Sequence, residues 1–192
     1  MTTIETNNFR IIAGEFRGRK FHFPDAEGLR PTTGKIRETL FNWLQFNIAG
    51  KSVLDPFTGS GALCLEALSR GAKEVYSIEK SNAVFNQLQS NFKVFPSEKY
   101  TLINDDALTH LSQASKKPFD LIFLDPPFAN KMLPKIMQLL SDNGYIDRYS
   151  KIYIESEFQI NNDNLSEMST YHYNIAKQKK SGDVHYCLIS LA

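Results

Sequence analysis

The chain has 192 residues, 42% of them hydrophobic and 22% charged, with a net charge of +1. That length suits one domain with a small appendage, and no run reaches the roughly 18 apolar residues of a membrane span. Met1 to Asn8 holds no apolar signal core, Cys64 and Cys187 have no partners at metal-ligand spacing, and the four histidines are scattered, so the expectation is a cytoplasmic protein without a metal.

Phe9 to Phe23 reads as a hairpin, with Gly14-Glu15-Phe16-Arg17-Gly18 at its turn and Pro24 closing it. Leu29 to Thr33 reads as a loop. Lys35 to Phe46 follows as a helix, because Ile36, Leu40 and Leu44 recur every four residues. From Ser52 onward short strands alternate with helices. The strands are 52–54, 74–78, 100–103, 119–124 and 151–155, and the helices are 61–70, 82–92, 107–115 and 131–140. The run from Phe119 to Leu124 is nearly continuous in apolar residues, as in a strand covered on both faces. Tyr171 to Ala176 and Val184 to Leu191 read as two final strands joined near Ser181-Gly182-Asp183. Such alternation predicts right-handed βαβ units and a mostly parallel sheet, with the last hairpin adding an antiparallel strand. Ligands of such sheets bind beyond the carboxyl ends of the strands.

Four segments fall at those ends. Asp55-Pro56-Phe57-Thr58-Gly59-Ser60-Gly61 joins the first strand of the sheet to its helix. Its glycines allow positive φ and close approach to a ligand, but neither the phosphate-loop ending nor the third glycine of a dinucleotide turn is present. Glu79, about 20 residues on, can accept both hydroxyls of a ribose, or it is a solvated strand end. Asn104-Asp105-Asp106-Ala107 offers a carboxylate for an adenine amino group, with Asp106 the choice, or a helix cap. Asp125-Pro126-Pro127-Phe128 is the most specific segment. Its two prolines remove two N–H donors, so the Asp125 side chain and the Asp125 and Pro126 carbonyls present acceptors without a competing donor, beside the flat ring of Phe128. That set suits the exocyclic amine of a nucleic-acid base, flipped out or single-stranded; a rigid turn capped by Asp125 is the plainer alternative.

Charge is unevenly spread. Residues 1–51 carry eight Lys/Arg against five Asp/Glu (net +3), and the rest carry 14 against 16 (net −2). Arg10, Arg17, Arg19, Lys20, Arg30 and Arg37 are interleaved with Phe9, Phe16 and Phe21, a pattern that can track phosphates. Lys177, Lys179 and Lys180 form a second basic cluster.

Arg10-Ile11-Ile12-Ala13-Gly14-Glu15-Phe16-Arg17-Gly18-Arg19-Lys20, Leu29 to Thr33 with Arg37 to Leu44, Asp55 to Gly61 running into Ala62-Leu63, and Asp125 to Phe128 together resemble the bacterial 16S ribosomal RNA guanine-N2 methyltransferases of the RsmD family. The N-terminal stretches are the more specific ones. The resemblance implies a Rossmann-like class I S-adenosylmethionine-dependent fold: a mostly parallel seven-stranded sheet with an antiparallel C-terminal strand. The N-terminal basic hairpin extension and loop would occupy residues 1–34 and the methyltransferase domain residues 35–192. The resemblance implies S-adenosyl-L-methionine bound by Asp55, Phe57, Thr58, Gly59, Gly61, Glu79, Asp106 and Ala107, with the loop of Arg30 and Thr32 closing over it. It places Asp125, Pro126, Pro127 and Phe128 in catalysis, and Arg10, Arg17, Arg19, Lys20, Arg37 and Lys179 on RNA. The implied partner is 16S rRNA in the 30S subunit or its assembly intermediate, met by a monomer away from any membrane. Thr58 stands where that family more often has a small apolar residue, and the tail after Glu157 matches poorly apart from Lys179 and Gly182. Three other readings share parts of the pattern. A DNA adenine or cytosine amino-methyltransferase would need a target-recognition region for which there is no room. A protein-glutamine methyltransferase would favour Asn at position 125. An inactive rRNA-binding assembly factor would not need intact acceptors at Asp125.

Overall fold

Thr6–Arg10 (β1) and Lys20–Pro24 (β2) pair antiparallel, with Phe9 opposite Phe21. The computed structural model describes residues 6–25, 29, 32–127, 132–169 and 171–192. These fall into two compact units, Met1–Asp106 and Ala107–Ala192.

In the first unit the hairpin is followed by Gly34–Trp43 (α1), Ser52–Asp55 (β3), Ala62–Ser69 (α2), Glu74–Glu79 (β4), Asn82–Phe92 (α3) and Tyr100–Asn104 (β5). The three sheet strands run parallel in the order β5-β4-β3. β3 is buried at all four positions and α2 at all eight, as expected of elements covered on every side. The N-terminal segment supplies one of those covers. Ser69 on α2 accepts the Phe16 N–H at 3.0 Å through its hydroxyl and donates to the Ala13 carbonyl at 2.7 Å. Its own carbonyl accepts the Glu15 N–H at 2.8 Å. The approach is so close that a Cβ on Gly14 (φ +87°) would lie 1.9 Å from the Ser69 carbonyl oxygen, so only glycine fits there. The hairpin's inner face, Phe9, Phe21 and Phe23, is buried, and the Asn91 amide on α3 donates to the His22 carbonyl at 2.7 Å.

Glu66 is the polar centre of this packing. It has no exposed surface. It accepts the backbone N–H groups of Ile12 (2.8 Å) and Ala13 (3.0 Å), the Arg37 guanidinium (3.4 Å) and the Arg70 Nε (2.7 Å). Arg37 also donates to the Arg10 carbonyl at 3.1 Å and lies over the Phe9 ring.

The second unit holds Ala107–Leu111 (α4), Leu121–Leu124 (β6), Leu133–Asp142 (α5), Lys151–Ser156 (β7), Asn162–Met168 (α6), Tyr173–Ser181 (β8) and Val184–Leu191 (β9). Its strands run in the order β6-β7-β9-β8, with β6 and β7 parallel and β9 antiparallel to both of its neighbours. The two units thus supply the seven strands of the expected mostly parallel sheet with its antiparallel C-terminal strand.

Several boundaries differ from the sequence expectation. α1 ends at Trp43, and Phe46 is 89% exposed, because the four-residue repeat stops at Leu44. Gly61 is the cap of α2, at φ +81°, a conformation outside the helix. Phe119 stays out of β6 and donates its N–H to the Tyr145 carbonyl at 2.9 Å. α6 was not foreseen: only Leu165 and Met168 are buried on it, too few for a period to emerge. β8 continues to Ser181 through Lys177, Lys179 and Lys180, as polar residues suit the edge of a sheet.

Substituting Glu66→Ala would strand the buried Arg37 guanidinium and two backbone N–H groups. The expected loss is about 3–5 kcal/mol of folding stability, read from urea denaturation followed by circular dichroism.

Candidate active site

In the first unit the candidate residues gather where β3 and β4 end. Asp55, 2% exposed, terminates β3. The turn after it is closed internally: the Thr58 hydroxyl donates to the Asp55 carbonyl at 2.8 Å, and the Gly61 N–H donates to the Thr58 carbonyl at 2.9 Å. It is tied to β4 by the Thr58 N–H on the Ile78 carbonyl at 3.1 Å. Gly59 takes φ +51° and Gly61 φ +81°, which glycine alone adopts without strain. The two glycines therefore turn the chain from a buried strand into a buried helix.

Glu79 ends β4, with its carboxylate held by two backbone donors, the Gly59 N–H at 3.0 Å and the Ser81 N–H at 2.7 Å. Burial pushes its pKa above the ordinary glutamate range, and the N–H groups of Ser81, Gly59 and Lys80 offset part of that. The Asn104 amide fixes the same corner by donating to the carbonyls of Glu79 (2.8 Å) and Lys80 (3.3 Å). Asp105 accepts the Asp106 N–H at 2.8 Å, and the Asp106 carboxylate stands 3.7 Å from the Lys80 ammonium. The Asp106 side chain is 43% exposed. A half-buried carboxylate in a fixed position beside a glycine turn fits a ribose diol, and an exposed one at the next strand end fits an amino group. Phe57 is half-buried and Thr32 buried; Arg30 lies outside the described residues.

In the second unit, Asp125, Pro126 and Pro127 follow β6 directly. Asp125 is half-buried, Pro126 buried and Pro127 exposed; Phe128 lies outside the described residues. Ala107, the first residue of α4, is buried. Beside Asp125 is a carboxylate that the sequence reading did not select. β6 and β7 are in parallel register through Leu124 and Ile154, so Glu155, the last residue but one of β7, is the neighbour of Asp125. Glu155 is 3% exposed and accepts the Tyr153 hydroxyl at 3.0 Å. Tyr153 packs edge-on against Phe123 and Tyr186. Burial raises its phenol pKa well above the usual value, and the charges of Glu155 and Asp125 add to that. The available signal was an acid following the apolar run Ile152-Tyr153-Ile154 at a strand end, as Glu79 does, but without the spacing from the glycine turn that singled out Glu79. Pro126, Pro127 and Glu155 border a cavity of about 200 Å³.

The basic residues divide. Arg10, Arg17, Arg19 and Lys20 are exposed on or beside the hairpin, with Arg19 lying over the rings of Phe16 and Phe21 at 5.6 and 5.8 Å. Lys179 is exposed on β8. Arg37 departs from the expected phosphate contact: it is 4% exposed and engaged with Glu66, which makes it part of the folded core. Among the described residues no group of three or more His, Cys, Asp or Glu could hold a metal ion, and no helix is long and apolar enough to cross a membrane.

Residues 9–190 match a family described as Conserved hypothetical protein 95. The Ribosomal RNA small subunit methyltransferase D of Escherichia coli is 40% identical over 183 residues, covering 95% of this chain and 90% of that protein. Its namesake in Haemophilus influenzae is 40% identical over 195 residues, covering 98% of each. Among solved structures, "Putative methyltransferase yhhF from Escherichia coli" superposes with a TM-score of 0.82 at 38% identity, covering 96% of this chain and 98% of that one.

The glycine turn carries its own test. A Cβ at Gly61 would sit 2.7 Å from Leu88 Cδ2 and 3.2 Å from Leu65 Cδ1, at a positive φ. Gly61→Ala should lower stability by about 1–2 kcal/mol from the backbone alone, measured as a shift of the urea midpoint at unchanged slope.

Proposed function

Because the chain belongs to the ribosomal RNA small subunit methyltransferase D family, we propose that it transfers a methyl group from S-adenosyl-L-methionine to the exocyclic N2 of a guanine in 16S rRNA. The observation that carries this reading is Asp125-Pro126-Pro127 at the carboxyl end of the buried strand β6. The substrate is the 30S subunit or its assembly intermediate, and the enzyme works as a monomer in the cytoplasm. Residues 1–34 serve as the basic extension and residues 35–192 as the methyltransferase domain.

Bound S-adenosylmethionine supplies an electrophilic methyl group on a sulfonium. Glu79 accepts hydrogen bonds from its ribose hydroxyls, and Asp106 accepts the adenine amino group beside the Ala107 backbone. Asp55, Phe57, Thr58, Gly59 and Gly61 line the turn against it, with Arg30 and Thr32 on the covering loop. Glu79 is suited to this role because two backbone N–H groups already orient its carboxylate; no rearrangement is needed before it accepts a ligand hydroxyl.

A guanine amine shares its lone pair with the ring and is a poor nucleophile. The Asp125 carboxylate and the Asp125 and Pro126 carbonyls accept its two N–H groups and draw the nitrogen towards tetrahedral geometry, with the ring stacked on Phe128. Pro126 and Pro127 contribute no N–H that would compete. As the carbon–nitrogen bond formed and the methyl–sulfur bond broke, positive charge would pass from the sulfonium, which leaves as a neutral thioether, to the nitrogen, where these fixed acceptors would stabilise it. The methylated ammonium would be strongly acidic, so its proton would pass readily to the Asp125 carboxylate or to water, and Asp125 need not be a strong base. Arg10, Arg17, Arg19, Lys20 and Lys179 bind phosphates. A base within a duplex cannot reach such acceptors, so the target is unstacked or single-stranded.

Labelled S-adenosylmethionine, offered with undermethylated 30S subunits, naked 16S rRNA and DNA, should label guanine N2 in the ribosomal substrates; label in DNA alone would sink the assignment. Asp125→Ala should lower transfer on the order of 100-fold or more while cofactor affinity, followed by calorimetry, stays nearly unchanged. A large loss of affinity would mean that Asp125 holds the cofactor instead.

A further inference from the structure

Glu155 has no task in the mechanism above, yet its environment is built. A glutamate that is 3% exposed retains its charge only with donors around it. One is the hydroxyl of Tyr153, itself fully buried between Phe123 and Tyr186. Tyr153 can hardly move, so Glu155 Oε1 is fixed. Glu155 also lines the cavity that Pro126 and Pro127 border, whose other walls include Ser156, Phe158 and Met168. The apolar walls, Phe158 and Met168 among them, suit the faces of a flat heterocycle; of the two carboxylates that line the cavity, Glu157 is exposed and Glu155 is the buried one.

We infer that Glu155 is the specificity-determining residue that reads the target base as guanine, accepting a hydrogen bond from its ring N1–H. The inference rests on the guanine-N2 reading and deepens it. Guanine carries N1–H beside its 2-amino group, so one edge offers three donors in a row. Acceptors at Asp125 and Pro126 match two of them, and an acceptor on the adjacent strand matches the third. Adenine and cytosine present a lone pair at the ring nitrogen next to the amine, and a carboxylate repels it. Rejection of this kind is strong because it leaves a buried charge facing an acceptor. Tyr153 is the positioning residue that holds Glu155 in place.

The test uses the full chain and 30S particles rebuilt on ligated 16S rRNA carrying either guanine or 2,6-diaminopurine at the target position. Diaminopurine keeps the 2-amino group but has a lone pair at N1. The wild-type enzyme should methylate guanine and reject diaminopurine by about tenfold to hundredfold. Glu155→Gln places an amide N–H opposite N1. It should slow transfer to guanine about tenfold or more, gain activity on diaminopurine, and leave S-adenosylmethionine binding unchanged. Tyr153→Phe keeps the carboxylate and removes only its anchor. Transfer to guanine should fall about two- to tenfold, with diaminopurine still rejected, so the test stands even if the glutamine variant folds poorly. Wild-type enzyme accepting both bases equally, or Glu155→Gln methylating guanine at the wild-type rate, would overturn the inference. If the wild type puts no methyl group on guanine N2 in any particle, the guanine reading itself fails.

Discussion

A carboxylate without exposed surface is tolerated only when donors surround it, and Glu66 is surrounded by donors from three separate parts of the chain. Two are backbone N–H groups of Ile12 and Ala13, which no β-strand partner claims because β1 ends at Arg10. The others are the guanidiniums of Arg37 on α1 and Arg70 just beyond α2. Each group solves a problem for another. Arg37, whose guanidinium pKa is lowered chiefly by burial, regains part of that loss from the Glu66 charge. The unpaired backbone amides gain an acceptor, and Glu66 gains its donors. Removing any one member leaves a buried polar group behind, so the groups stabilise the fold as a set.

The position of Glu66 gives that cluster its reach. It lies on α2, the helix that Gly61 begins, and so the N-terminal segment is fastened to the same helix that follows the glycine turn. Ser69, one turn nearly complete beyond Glu66, repeats the attachment through Phe16, Ala13 and Glu15. The hairpin that carries Arg10, Arg17, Arg19 and Lys20 is therefore packed into the first unit and does not hang from it. Under the proposed function, basic side chains on a fixed hairpin could set the register of an RNA, whereas the same residues on a loose tail would supply attraction alone.

Alternation and turn chemistry made the parallel sheet, the final hairpin and the strand-end placement of Glu79 and Asp125 legible in the sequence, because each depends on neighbours in the chain. What depended on distant partners stayed hidden. Arg37 sits among basic residues and resembles them in sequence; only its packing against Glu66 and Phe9 sets it apart. α6 carries two buried residues, Leu165 and Met168, and is held instead by the reciprocal Asn161 and Asn164 cap, a signal in side-chain hydrogen bonding that apolar periodicity does not register. The turn of α1 after Leu44 and the start of α2 at Ala62 moved by a few residues for similar local reasons. Family resemblance, and not periodicity, supplied the step from an amine acceptor to ribosomal RNA.

Glu79 and Glu155 follow one rule in two places. Each closes an apolar stretch of a parallel strand, each is withdrawn from water, and each is oriented before any ligand arrives: Glu79 by the N–H groups of Gly59 and Ser81, Glu155 by the Tyr153 hydroxyl. The donors differ in kind, and so does the freedom left to the acid. Backbone N–H groups of the glycine turn (Gly59) and of the loop after β4 (Ser81) hold Glu79 while those segments keep their shape, whereas Tyr153 is locked by aromatic neighbours on two further strands, Phe123 on β6 and Tyr186 on β9. A loop-borne anchor can yield to let a cofactor in and out. A core-borne anchor cannot, and rigidity of that sort is what discrimination between two bases of similar shape requires, because a carboxylate free to swing would escape the wrong lone pair.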